Sequence, residues 1–180
     1  AYEIAKLLDL DGMVPPSVER TVPGGHGAVT WWIDDVQMTE LDRFKKHIDP
    51  PSADEWARQM NIVHAFDQLI YNTDRNLGNL IITKDWHVWM IDHTRAFRWQ
   101  RNCQNLNMVK QIDRKLLAKM RELDRKTLQQ RVGKYLSKNE IDGVLARRDE
   151  LVQHVDQEIA SAGEAKVVYD WMGRFATASK

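Results

Sequence analysis

The chain is poor in the features that most quickly place a protein in a class. It has one cysteine, Cys103. No internal disulfide can form, and a reducing, cytoplasmic setting is the expectation. Cys103 itself reads as a small, partly buried hydrophobe. No run approaches the ~18 uninterrupted apolar residues of a membrane-spanning helix. The opening AYEIAKLLDL is charged and helically periodic, which is not the pattern of a secretory signal. Basic and acidic residues balance at 26 each, so no global field draws the chain to nucleic acid or an anionic membrane. The six histidines have no zinc-like spacing. Repeats and low-complexity segments are missing.

What is present suits one domain. A chain of 180 residues buries about two-thirds of its unfolded surface, and 43% hydrophobic residues can fill that core. Ile4, Leu7 and Leu8 share a helical face, and Asp11-Gly12 with Pro15-Pro16 predicts a stop. SVERTV and GAVTWWI predict a hairpin around PGGHG, with Gly24-Gly25-His26-Gly27 as the turn. Ser52 and Glu55 form a capping box ahead of a long helix with Trp56, Met60, Val63, Phe66 and Ile70 on one side. His64 within it reads as a core or interface histidine. Residues 106–160 are dominated by helical periodicity, with a second capping box at Ser137 and Glu140. The first residue is not methionine and the chain opens within a helical pattern, so a fragment or processed product is expected.

The segment YNTDRNLGNLIITKDWHVWMIDHTRAF, Tyr71 to Phe97, carries the chemistry. NLIIT and HVWMID are short, apolar and β-rich, and Lys84-Asp85 between them predicts a turn. A hairpin folded there makes near neighbours of Asn79 and Asp92 at its open end. Asp74 sits on the loop just before. Asp and Asn oxygens are hard ligands suited to Mg²⁺ or Mn²⁺.

This arrangement resembles the catalytic core of the protein-kinase-like superfamily, in which an Asp, an Asn five residues later, a short hairpin and a metal-binding Asp follow in order. Asp-Arg-Asn-x-x-Asn followed by Ile-Asp-His is more similar to the phosphoinositide 3-/4-kinase branch and its bacterial relatives than to eukaryotic protein kinases. GMVPPSVER and GAVTWWIDD resemble the strands leading into the kinase hinge. Residues 53–72 resemble the helix before the catalytic loop. The resemblance implies an α+β, mainly α fold, a single kinase-like domain over residues 1–180. Residues 1–35 would be a hinge-side helix and strands, and 36–180 a helical C-lobe with the catalytic hairpin at 79–92.

The resemblance also implies roles. Asp74 would orient the attacking hydroxyl and accept its proton, and Arg75 would stabilise the catalytic loop or the phosphates. Asn79 and Asp92 would hold Mg²⁺ or Mn²⁺ on ATP. Trp32, Ile33 and Asp34 would lie beside the adenine, with Ile81 and Ile91 below and behind it. His93, Thr94 and Arg95 would either contact phosphate or substrate or serve ordinary loop packing. A kinase N-lobe supplies a glycine-rich loop and a strand lysine paired to a helix glutamate. Glu3 offers the glutamate, but no strand lysine precedes it. Either the N-lobe is trimmed from this chain, with a partner protein supplying or replacing it, or the chain is a C-lobe-only domain. The expectation is a weakly active phosphotransferase whose acceptor is a lipid, a protein or a small molecule. The alternatives are a non-catalytic nucleotide-binding module and a helical interaction module built on QIDRKLLAKMRELDRKTLQQR. Acids alternate with bases in that stretch, so nucleic acid is not expected as a partner.

Overall fold

The computed structural model describes residues 1–172 and, within them, every side chain but that of Val22. Helix α1 (Tyr2–Leu7) buries Ile4, Ala5 and the adjoining Leu8. It ends before the expected Asp11-Gly12. Asp9 turns left-handed at φ 55°, and the Leu10 amide reaches back to Ala5 O at 2.8 Å. A left-handed residue leaves the helical path and lets a following amide satisfy a terminal carbonyl.

Strands β1 (Ser17–Val22) and β2 (Gly25–Thr30) pair antiparallel, with Val22 opposite Gly25. The turn is therefore Pro23-Gly24, while Gly25, His26 and Gly27 belong to β2. This corrects the expected Gly24–Gly27 turn. Two-residue hairpin loops need positive φ, and Gly24 supplies it at 102°. β2 also stops short of Trp31-Trp32-Ile33. The Trp31 amide bonds Pro16 O at 2.8 Å, but Pro15 and Pro16 have no amides with which to continue the ladder.

A strand not foreseen, β3 (Val36–Thr39), pairs with β4 (Leu80–Thr83), which pairs with β5 (Val88–Met90) in the order β3-β4-β5. The β4–β5 turn falls at Lys84-Asp85 as read from the sequence. Thr39 caps α2 (Glu40–Lys45) in a capping box with Asp42. Helix α3 (Ala53–Ile70) starts at Ser52, whose hydroxyl accepts the Glu55 amide at 3.2 Å. The reciprocal half of the expected box is replaced: the Glu55 carboxylate takes the Trp171 indole N–H. The end of α3 is a left-handed Tyr71 at φ 54°.

The second half holds β6 (Ile112–Asp113), α4 (Arg114–Glu122), α5 (Arg125–Val132), α6 (Lys138–Ala162), α7 (Glu164–Val167) and β7 (Val168–Tyr169). The capping box at Ser137 and Glu140 is present. β6 and β7 pair in parallel, a contact between segments too far apart for local pattern to reveal. One hydrophobic cluster runs through α1, α3, the β4–β5 hairpin, α4 to α6, and Trp171-Met172. The fold is α+β, about half helical with small sheets. No helix among the described residues is long and apolar enough to cross a membrane.

Candidate functional site

The site is framed by a buried ion pair at the end of α3. Asp67 takes both forks of Arg75, Nε at 2.8 Å and Nη2 at 2.9 Å. The remaining nitrogen, Nη1, donates to Asn79 O at 3.0 Å and Ile91 O at 2.8 Å. A planar guanidinium with five fixed donors suits such a task better than a lysine does. One side chain thus ties α3, the 72–79 loop and the end of β5 together. Arg75 is only 12% exposed. Of the two tasks expected of it, holding the loop is the one its contacts carry out.

The loop is built by short polar side chains that bond their own backbone. Asn72 Oδ1 accepts the Asp74 amide at 3.2 Å, and Asn72 Nδ2 donates to Asp67 at 3.0 Å. Asn76 Oδ1 accepts the Gly78 amide at 2.9 Å and caps a single 3₁₀ turn, Leu77–Asn79. Asn79 Nδ2 donates to Asp74 O at 3.3 Å. The Ile91 amide bonds Asn79 O at 3.0 Å. Asn79 therefore lies against the strand end that leads into Asp92, as the hairpin predicts. Asp74 is exposed on the same loop.

Asp92 is exposed and left-handed, at φ 51°. Such backbone is uncommon for a residue with a Cβ and is held by its surroundings. Its Oδ1 accepts the Thr94 hydroxyl at 2.7 Å and the Thr94 amide at 3.3 Å. These bonds hold its carboxyl below the usual carboxylate range, with smaller help from His93 and Arg75. Both of these bonds use Oδ1 and leave Oδ2 out. His93 turns inward, edge-on to Phe66 at 5.9 Å. Burial first, and the Arg75 charge second, push its pKa down to about 3.

The sheet beside this loop has one buried and one half-open face. Leu80 and Ile82 point into the core. Ile81 stands opposite Trp89 on β5 and Thr39 on β3, and directly opposed residues share a face. Ile81, Trp89 and Ile91 are all half-buried, so an apolar platform leads away from Asn79 and Asp92. An open cleft of about 880 Å³ continues past Trp89 and is lined also by Trp31, Ile33, Asp34 and Thr83. Ile33 and Asp34 line this cleft, whereas Asn79, Ile81, Ile91 and Asp92 do not. Trp32 is not in the lining and is 80% exposed.

Sequence reasoning did not single out Trp31, Trp89 or Asp67. Trp89 was accessible in principle, since it alternates with Ile91 at the two-residue strand period. Asp67 carried no local signal, because its partner Arg75 lies across a turn. Among the described residues no group of three or more His, Cys, Asp or Glu side chains is placed to hold a metal.

No family model matches the chain, and no curated protein matches it. Among solved structures, the crystal structure of the Golgi casein kinase superposes with a TM-score of 0.64 at 12% identity, covering 94% of this chain and 63% of that one. The chain has a kinase-like fold. It spans less than two-thirds of the casein kinase chain. At such identity the likeness speaks for the fold alone and does not single out a phosphoinositide-kinase branch. Within a kinase-like fold, the order found here is helix α3, polar loop, β4–β5 hairpin and Ile91-Asp92.

Proposed function

We propose that the chain is the core of a phosphotransferase that moves the terminal phosphoryl group of ATP, with Mg²⁺ or Mn²⁺, to a hydroxyl acceptor. The observation that carries this reading is the open end of the β4–β5 hairpin, where Asn79 and the exposed Asp92 adjoin the Asp74 loop. Phosphoryl transfer asks a protein for positioning and charge stabilisation more than for covalent chemistry. A loop braced by Arg75 through three separate segments meets that demand.

In this reading Asp74 accepts the proton of the acceptor hydroxyl. Asp92, ionised through its Thr94 bonds, and the amide oxygen of Asn79 would hold the cation. That donor set fits Mg²⁺, which one or two protein oxygens and substrate phosphates commonly hold. When bound, the ion would offset charge on the phosphate oxygens. Ile81, Trp89 and Ile91 would support the adenine, with Ile33 and Asp34 at its edge. Arg75 acts as a positioning residue.

The test is thermal stability with ATP and either cation, in the wild type and in Asp92→Ala. A ligand that binds only the native state at a hundredfold excess over Kd stabilises it by about 2.7 kcal/mol. A cation-dependent shift that Asp92→Ala abolishes supports the reading. No shift with either cation counts against it. Where transfer is measurable, Asp74→Ala lowers it by about a hundredfold or more, the usual worth of a positioned base. Unchanged transfer removes Asp74 from its role.

A further inference from the structure

Residues 93–112, which follow Asp92, contain three arginines and one lysine and no aspartate or glutamate. In a chain with no net charge this is a local concentration of one sign. Arg95, Arg98 and Arg101 are all exposed, and none pairs with an acid among the described residues. Trp99 between them is 68% exposed.

The backbone carrying these side chains is tied down. Thr73, next to Asp74, donates its hydroxyl to Arg95 O at 3.2 Å. The Phe97 amide bonds Ile70 O at 2.7 Å. Arg147 of α6, fully buried, donates to Arg98 O at 3.2 Å and to Gln100 O. Gln68 Oε1 accepts the Gln104 and Asn105 amides at 2.7 and 2.9 Å. The result is a ledge bearing three exposed arginines, its backbone held by α3 and α6 and bonded to the Asp74 loop, with Glu150 on the Cys103 amide as the acid at its far end.

We propose that this ledge binds an acidic polypeptide segment and presents its hydroxyl residue to Asp74. The proposal deepens the phosphotransferase reading and rests on it for the meaning of "acceptor", though not for the binding itself. The spread of the charges favours a polypeptide. A compact phosphate group is held by converging, partly buried charges. Here the three arginines are exposed and recur every third residue, and the buried Arg147 is turned to carbonyls. A membrane surface would ask for several protruding apolar groups. Ala96 and Phe97 instead pack on the core, leaving Trp99 as the one large exposed apolar side chain of residues 93–101. Trp99 supplies flat contact area and a face for ordinary side chains.

The experiment measures binding of a fluorescent Glu/Ser-rich peptide by anisotropy, with a Lys/Ser-rich peptide and phosphatidylserine vesicles as comparisons. The protein is the full chain, as wild type, Asp92→Ala, and Arg95→Gln/Arg98→Gln/Arg101→Gln. The expected result is binding of the acidic peptide alone, weakened by salt and lost at least tenfold in the triple variant. The triple variant keeps the wild-type thermal midpoint without ligand, which shows that it is folded. Asp92→Ala keeps peptide binding and loses the ATP-dependent thermal shift, so failure of the nucleotide reading is seen separately. Equal binding of both peptides, undiminished binding by the triple variant, or binding to vesicles without peptide binding each overturns the proposal.

Discussion

Two neighbouring residues, Asp92 and His93, illustrate how opposite environments arise from adjacent positions. Asp92 faces outward and is held ionised by Thr94. Replacing Thr94 by Val removes the hydroxyl and lets the carboxyl titrate nearer its ordinary range. The anionic form is the one that holds a cation, so the acid limb of cation-dependent ATP binding moves to higher pH. Binding constants measured from pH 4 to 7 in both proteins check this. His93 faces inward, with a folded pKa of about 3 against an ordinary 6.5. The unfolded chain then takes up a proton that the folded chain refuses. Its stabilising contribution is full above pH 6.5 and declines as pH falls towards the folded value. His64 and His87 are shifted the same way by burial. Urea midpoints are therefore expected to drop between pH 7.5 and 5. His93→Phe keeps the ring packing and removes about 1 kcal/mol or more of that drop.

At the scale of elements, two buried polar side chains join segments distant in sequence. Asp113 caps α4 with Oδ1, accepting the Lys115 and Leu116 amides at 2.8 and 3.2 Å. Its Oδ2 accepts the Trp171 and Met172 amides at 2.7 and 3.0 Å. Asp113→Ala strands four amides and is expected to cost about 3 kcal/mol, more than a lost cap alone. Asp113→Asn keeps one acceptor and costs less, while amides at 171–172 exchange faster. Arg147 is 0% exposed yet makes no ion pair among the described residues. It donates to Leu69 O at 2.9 Å and to the two carbonyls of the ledge, and lies over the Tyr71 ring at 5.3 Å. Burial lowers its pKa to about 10, so it remains charged at neutral pH. Arg147→Met leaves those carbonyls unsatisfied and is expected to destabilise by roughly 3 kcal/mol. Chemical denaturation gives the cost, and faster exchange at residues 98–101 locates it.

At the scale of the molecule, stability is unevenly distributed. The core cluster joins α1, α3, α4 to α6 and the β4–β5 hairpin. None of the described side chains of the β1–β2 hairpin belongs to that cluster, and Val18 and Val29 are 45% and 49% exposed. Two strands without a packed face are marginal in water. Hydrogen exchange is expected to proceed by local opening in β2 while α3 amides exchange only on global unfolding. Protection of β2 equal to that of α3 contradicts this picture. The same hairpin leads directly to Trp31 and Ile33 of the cleft, so the low-stability region adjoins the proposed nucleotide site.

Local pattern alone determined much of this protein. Helix starts were readable because Ser52 and Ser137 cap by bonding amides three residues on. The β4–β5 hairpin was readable because its strands are β-rich and Lys84-Asp85 interrupts them. That hairpin sets Asn79 against Ile91, the residue before Asp92. What the tertiary structure decided has no short-range signature. β3 joins β4 across the whole of α2 and α3. β7 finds β6 over more than fifty residues of chain. Arg75 spends its charge on Asp67 and two carbonyls, and Arg147 holds a loop it does not adjoin in sequence. Each of these depends on which groups are left without water once the core closes. A buried amide, carbonyl or charge must then find its partner wherever the fold has brought one.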